Sequence, residues 1–217
     1  MIIRKNLLKL LIIASVIYAC VRLWHWKIGF TYFTQLSNIY TATAVLLQLL
    51  FDRRATRLIK YTATVSILIT GIVFGVVLAP MVPGGMLAAY RQDHYASLCL
   101  HFITPILAVF DFLWNDTTGT WQKSDVWFGV LPPTLYFVLI LVLGAFGMTW
   151  HGMAAPYFFL NYHAPAGWFG YLPQTAGLDS SGIGVAYAVL GMIGAFLLAA
   201  WGLLWLAHRI ASRKTDA

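Results

Sequence analysis

The chain has 217 residues, 60% of them hydrophobic and 10% charged, with 14 Lys and Arg against 7 Asp and Glu. A soluble globule of this length needs far more charge to cover its surface, so the composition excludes a water-soluble protein and, with a mean hydropathy of +0.77, predicts an all-α, polytopic membrane bundle. The formal net charge of +7 reads as a topology signal beside anionic lipid and not as a nucleic-acid surface, so membrane lipids are the expected surroundings and no nucleic acid is expected as a partner.

Six apolar stretches approach the roughly 20 residues that a membrane-crossing helix needs. They lie at about 7–25, 30–51, 58–78, 96–114, 126–147 and 183–206, within a single integral membrane domain spanning 1–217. Arg4, Lys5 and Lys9 before the run Leu7 to Cys20 have the layout of a signal peptide, and Ile17-Tyr18-Ala19-Cys20 is similar to a lipoprotein cleavage box. A bulky Tyr18 fits that box poorly, so an uncleaved first span is expected, with Lys9 snorkelling to the inner surface. Pro132 and Pro133 fall in the first turns of the fifth span, where a missing N–H does no harm. In the sixth, Gly184, Ala188, Gly191, Ala195, Ala199 and Gly202 form a stripe of small residues that predicts a close helix contact.

Six spans place both termini on one side. The termini and the loops sharing their side hold 11 of the 14 Lys and Arg, leaving Arg22, Lys27 and Arg91 for the other, so both termini are expected to be cytoplasmic. The expected location is the bacterial inner (plasma) membrane. The glycosylation triplet Asn115-Asp116-Thr117 then lies in the cytoplasm, where it has no use. Cys20 and Cys99 both fall inside spans and read as small buried hydrophobes. The outer segment 150–182 is rich in aromatic residues and punctuated by Pro156, Pro165 and Pro173, which suits the membrane interface and could lid a cleft.

Polarity is concentrated at Tyr32-Phe33-Thr34-Gln35-Leu36-Ser37-Asn38, at the mouth of the second span. In a helix, Thr34, Asn38, Thr41 and Val45 share one face, and in the fourth span His101, Thr104, Ala108 and Asp111 share another. Both spans enter from the outer side, and Thr34 and His101 sit at similar depths, roughly 6 to 8 Å below their helix starts. Pro105 removes the N–H that would bond the His101 carbonyl, a defect tolerated only against protein or water. A Thr near a helix start is more commonly a cap or bonded back to its own backbone, and a lone His is as often structural as catalytic. Asp111 lies about 15 Å along the helix from His101, too far to complete a triad, and reads as a buried acid that is protonated or paired.

Phe33-Thr34 with Ser37-Asn38, Leu100-His101 with Pro105 and Asp111, and Pro156-Tyr157-Phe158-Phe159-Leu160-Asn161 before the last span resemble the motifs of the androgen-induced membrane hydrolase family, in its bacterial Pr-six-Pr branch. The resemblance runs from the first span to the sixth. It implies an intramembrane hydrolase of lipid esters, with Thr34 as nucleophile and His101 as its required partner. Characterised animal members act on fatty acid esters of hydroxy fatty acids. The chemistry is consistent with the residues, because a Thr hydroxyl attacks only when a base takes its proton and a neutral imidazole suits that task. Gln35, Asn38, Tyr157 and Asn161 are candidates to support the site or orient substrate. No cofactor or metal is called for.

Two other readings stay open. Five histidines, His25, His94, His101, His151 and His163, fall on the outer side, which suggests a zinc-dependent membrane hydrolase, although no tight ligand spacing such as His-Glu-x-x-His occurs. A non-enzymatic lipid-binding or transport protein should show polar residues continuing to the cytoplasmic side, whereas the Thr34 face turns apolar at Val45.

Overall fold

Helices account for every regular element among the described residues, which in this computed structural model are 2–117, 121–171 and 182–215. Among the described residues, four rods are long and apolar enough to cross a membrane: Arg54–Met81, Gly85–Asn115, Lys123–Ala145 and Val185–Arg213. Within and beside them run α1 (Ile2–Arg22), α2 (Phe33–Leu50), α3 (Arg54–Val73), α4 (Gly85–Leu98), α5 (Thr104–Asn115), α6 (Leu131–Ala145) and α7 (Val185–Thr215).

α1 and α2 differ from these rods in their polar content. α1 carries Arg4, Lys5 and Lys9, and α2 carries Gln35, Ser37, Asn38 and Gln48. Yet Lys9 and all four α2 side chains are buried, while Leu10, Ile17 and Val21 on α1 and Leu46 and Leu50 on α2 are exposed. Polar inside and apolar outside is the reverse of a soluble helix.

The rods are not continuous α-helices. α3 starts on a side-chain cap, in which the Arg53 N–H donates to Thr56 Oγ1 at 3.1 Å, and it ends in a wide π turn over Phe74–Leu78 and a 3-10 turn at Ala79–Met81 containing Pro80. α4 is kinked at Asp93, His94 and Tyr95, which all adopt left-handed φ of 50 to 69° and are strained there. Tyr18 holds that kink by donating to the His94 carbonyl at 2.6 Å. Between α4 and α5 a second π turn covers Cys99–Ile103, and the Thr104 N–H reaches back to the Cys99 carbonyl. This wide register accommodates Pro105, which has no N–H to continue the α-helical ladder.

The chain divides into two units, Met1–Pro132 with Phe196–Ala217, and Pro133–Ala195. In the first, α1 and α3 each pack against both α2 and α5. Ile12, Val45, Ile67 and Ala108, one from each of these helices, form an apolar layer across the interior. On the side away from the N-terminus lie Ser15 bonded to Thr104 at 3.0 Å and Ser37 bonded to Thr70 at 2.9 Å. On the other side lies a cluster of charges. In the second unit the segment after α6 folds back on that helix: Tyr136 meets Tyr157, Phe137 meets Trp168, and Gly144 leaves room for the Tyr162 hydroxyl. Of the aromatic segment 150–182, residues 172–181, including Pro173, lie outside the described residues.

Two expectations are corrected. Lys9 does not snorkel; it is 5% exposed and donates to both carboxylate oxygens of Asp111 at 3.0 and 3.1 Å, because a lysine with an acid at its own depth loses less by pairing than by stretching to water. The small-residue stripe is not one continuous helix contact: a Cβ at Gly184 would lie 2.5 Å from the Trp168 carbonyl oxygen, in the segment after α6, whereas one at Gly191 or Gly202 would meet nothing within 4 Å. Beyond residue 195 the buried side of α7 runs through Phe196, Ala200, Leu203, Leu204 and Ala207, and Gly129 closes on Ala200.

Candidate active site

Thr34 is the second residue of α2, one turn above Asn38. The α2 cap is Tyr32, and the Thr34 hydroxyl makes no hydrogen bond among the described residues, so it neither caps the helix nor bonds back to it. Its neighbours behave differently: Ser37 donates to the Thr34 carbonyl at 3.0 Å and Thr41 to the Ser37 carbonyl at 2.8 Å, the usual back-bonding of helical hydroxyls. Thr34 is half-buried.

His101 sits in the π turn. Its Nδ1 lies 2.9 Å from the Ser97 carbonyl, with the Ser97 hydroxyl 3.3 Å away. A carbonyl only accepts, so Nδ1 carries the proton and Nε2 keeps the lone pair of a base. One ring face is covered by Phe74, stacked at 3.5 Å between centroids and 13° between planes. His101 lines an open cavity of about 290 Å³ between α3 and the α4–α5 rod, together with Gly71, Tyr90 and Pro105. Thr34 is not among the lining residues, and no hydrogen bond joins Thr34 to His101.

What links the two is Asn38. Its Nδ2 donates to the Thr34 carbonyl at 2.8 Å and to the Leu100 carbonyl at 3.1 Å, tying the turn that carries the hydroxyl to the turn that carries the imidazole. Both amide hydrogens are thereby used, and Oδ1 is buried with no partner among the described residues. Asn38 is fitted to position backbone, and its remaining capacity is to accept. Gln35 is 5% exposed and its Oε1 also lacks a partner among the described residues. Buried unpaired acceptors of this kind are uncommon and mark places where water or a ligand donor belongs.

Tyr157 and Asn161 flank the 3-10 turn Phe158–Leu160 of the second unit. Tyr157 stacks on Phe159 at 5.3 Å, and Asn161 Oδ1 accepts from the His163 N–H at 3.3 Å.

The charged cluster was not assembled from the sequence. Asp111, fully buried, pairs with Lys9 and Lys60 and accepts from Asn115 Nδ2 at 2.6 Å. Lys60 also reaches Asp116 at 2.5 Å, and Gln48 donates to the other oxygen of Asp116 at 2.5 Å. Asp111 was expected as a buried acid, but its partners sit on α1 and α3, 102 and 51 residues earlier in the chain, beyond any local spacing rule. The signal available was depth, since Lys9 and Lys60 lie near the starts of α1 and α3 and Asp111 near the end of α5. Among the described residues no three His, Cys, Asp or Glu side chains gather as a metal site. No family model, curated protein or solved structure matches the chain.

Proposed function

We propose that this membrane protein is an intramembrane hydrolase of lipid esters with Thr34 as nucleophile and His101 as general base. The single observation that carries the reading is the hydrogen bond of His101: Nδ1–H engaged by the Ser97 carbonyl leaves Nε2 as a lone-pair base, in a residue that lines a cavity of about 290 Å³. Support comes from the free Thr34 hydroxyl and from Asn38, which ties its turn to that of His101.

In the reaction, Nε2 takes the Thr34 proton as Oγ1 bonds to the ester carbonyl carbon. The tetrahedral species collapses as the ester C–O bond breaks, and the alkoxide leaves with the proton held on Nε2. Water, deprotonated by the same nitrogen, then cleaves the acyl-Thr34 ester and releases the fatty acid. Such a step needs Oγ1 and Nε2 within about 3 Å in the substrate complex, a distance that free enzymes commonly reach only when substrate is bound.

The wider reading is a multi-pass protein of the bacterial inner membrane with six spans and both termini in the cytoplasm. The inverted packing of α1 and α2 supports counting both as spans. The Thr34 and His101 turns then lie in the outer leaflet, where a lipid ester can present its carbonyl while its chain stays in the bilayer.

The charged cluster favours a second reading, a non-enzymatic transporter, because ionisable groups inside a membrane mark ion pathways. Against it stands the apolar layer of Ile12, Val45, Ile67 and Ala108 between that cluster and the outer polar groups. Purified protein is expected to hydrolyse long-chain p-nitrophenyl esters, and Thr34→Ala and His101→Ala to abolish this while remaining folded. Full activity in both variants would remove the hydrolase reading.

A further inference from the structure

The cavity beside His101 is built as an amphiphile site. At one end stand His101 and Tyr90, the Tyr90 hydroxyl making no hydrogen bond among the described residues. The other end is Leu68, Val109 and Phe110, with no polar group. From His101 to Phe110 the helix advances nine residues, roughly 13 Å at 1.5 Å per residue. One leaflet of a bilayer offers about 15 Å of hydrocarbon, half of a core about 30 Å thick.

The side walls carry a second message. Ile72, Phe102, Ile106 and Phe110 line the cavity and are also exposed, so the groove opens laterally through an apolar rim. In water such a rim would be a liability, but in a bilayer it is a door for a chain already dissolved there. The space depends on a glycine. A Cβ at Gly71 would lie 2.9 Å from the His101 carbonyl oxygen and 3.2 Å from Pro105, so only glycine lets α3 approach the His101 turn this closely.

We propose that this groove binds a single long acyl chain, entering sideways from the leaflet, with its carboxyl or ester head at His101 and Tyr90 and its tail against Leu68 and Phe110. The depth of the groove then sets the preferred chain length. This rests on the hydrolase reading for the identity of the ligand as substrate, but the binding itself does not need turnover.

The test uses the full chain in phospholipid nanodiscs with hexadecanoic acid bearing a diazirine at its tail. Photolabel is expected on residues lining the α3–α5 groove, competed by unlabelled hexadecanoic acid but not by the excess bilayer phospholipid. Leu68→Trp and Val109→Trp, on opposite walls, are each expected to cut labelling by roughly tenfold, the scale on which a filled apolar pocket discriminates, and to shift ester preference from sixteen-carbon to eight-carbon chains. Thr34→Ala is expected to keep the label. Label spread over other lipid-facing helices, or unchanged in both Trp variants with native gel-filtration profiles, overturns the assignment and leaves ordinary lipid contact. Groove labelling in a wild-type protein that hydrolyses no ester upholds the binding site and removes only the hydrolase reading.

Discussion

The amide of Asn38 donates to the Leu100 carbonyl across 3.1 Å while its second hydrogen holds the Thr34 carbonyl at 2.8 Å. One fully buried side chain thus sets the spacing between the α2 turn bearing Thr34 and the π turn bearing His101. Asn38→Ala should destabilise the protein by about 1–3 kcal/mol, the usual cost of leaving buried groups unpaired, and lower ester hydrolysis further than the stability loss explains. Thermal unfolding in detergent and kcat/KM on the same preparation separate the two effects.

The charge cluster predicts a non-additive pair. Asp111→Asn leaves Lys9 and Lys60 facing each other with Asp116 alone to compensate, and should cost about 3–5 kcal/mol, as expected for a broken buried pair. Combining Asp111→Leu with Lys9→Met should cost less than the sum of the single changes, because each removes the other's stranded charge. Denaturation midpoints of the four proteins of this cycle measure the coupling.

Two glycines in helices should respond in opposite ways. Gly71→Ala puts a methyl 2.9 Å from the His101 carbonyl and should destabilise by about 1–3 kcal/mol through overpacking, with loss of hydrolysis as the His101 turn is displaced. Gly191→Ala meets open space and should be neutral or stabilise by about 0.5–1 kcal/mol through helix propensity. Unfolding midpoints and ester turnover for both variants check the contrast.

The topology is testable apart from the chemistry. Reporter fusions after Asp52, after Thr117 and at the C-terminus should be active only as cytoplasmic fluorescent protein. Fusions after Pro83 and Gly152 should be active only as exported phosphatase. A cytoplasmic signal after Gly152 would contradict the six-span reading.

Much of the helical layout was legible because apolar runs of membrane length have few other uses, and the inward Asp111 was legible because an acid there has nowhere else to go. The breaks were less visible. Pro105 announced a defect, but its form as a π turn depends on Thr104 finding the Cys99 carbonyl, and the Gln92–Tyr95 kink has no glycine to mark it. Lys9 was misjudged because its snorkelling distance is a local property, whereas its acid partner is 102 residues away. Thr34 and His101 were legible as polar groups in otherwise apolar helices. Asn38 as the tie between their turns was not, since both of its acceptors are backbone carbonyls that every residue has.

The central claim is that the Thr34 hydroxyl is the nucleophile, and mapping a fluorophosphonate adduct by mass spectrometry on the purified protein tests it most directly. The account predicts one adduct, on the peptide containing Thr34, absent from Thr34→Ala and strongly reduced in His101→Ala. An adduct on another residue, or one of equal intensity in Thr34→Ala, would contradict it.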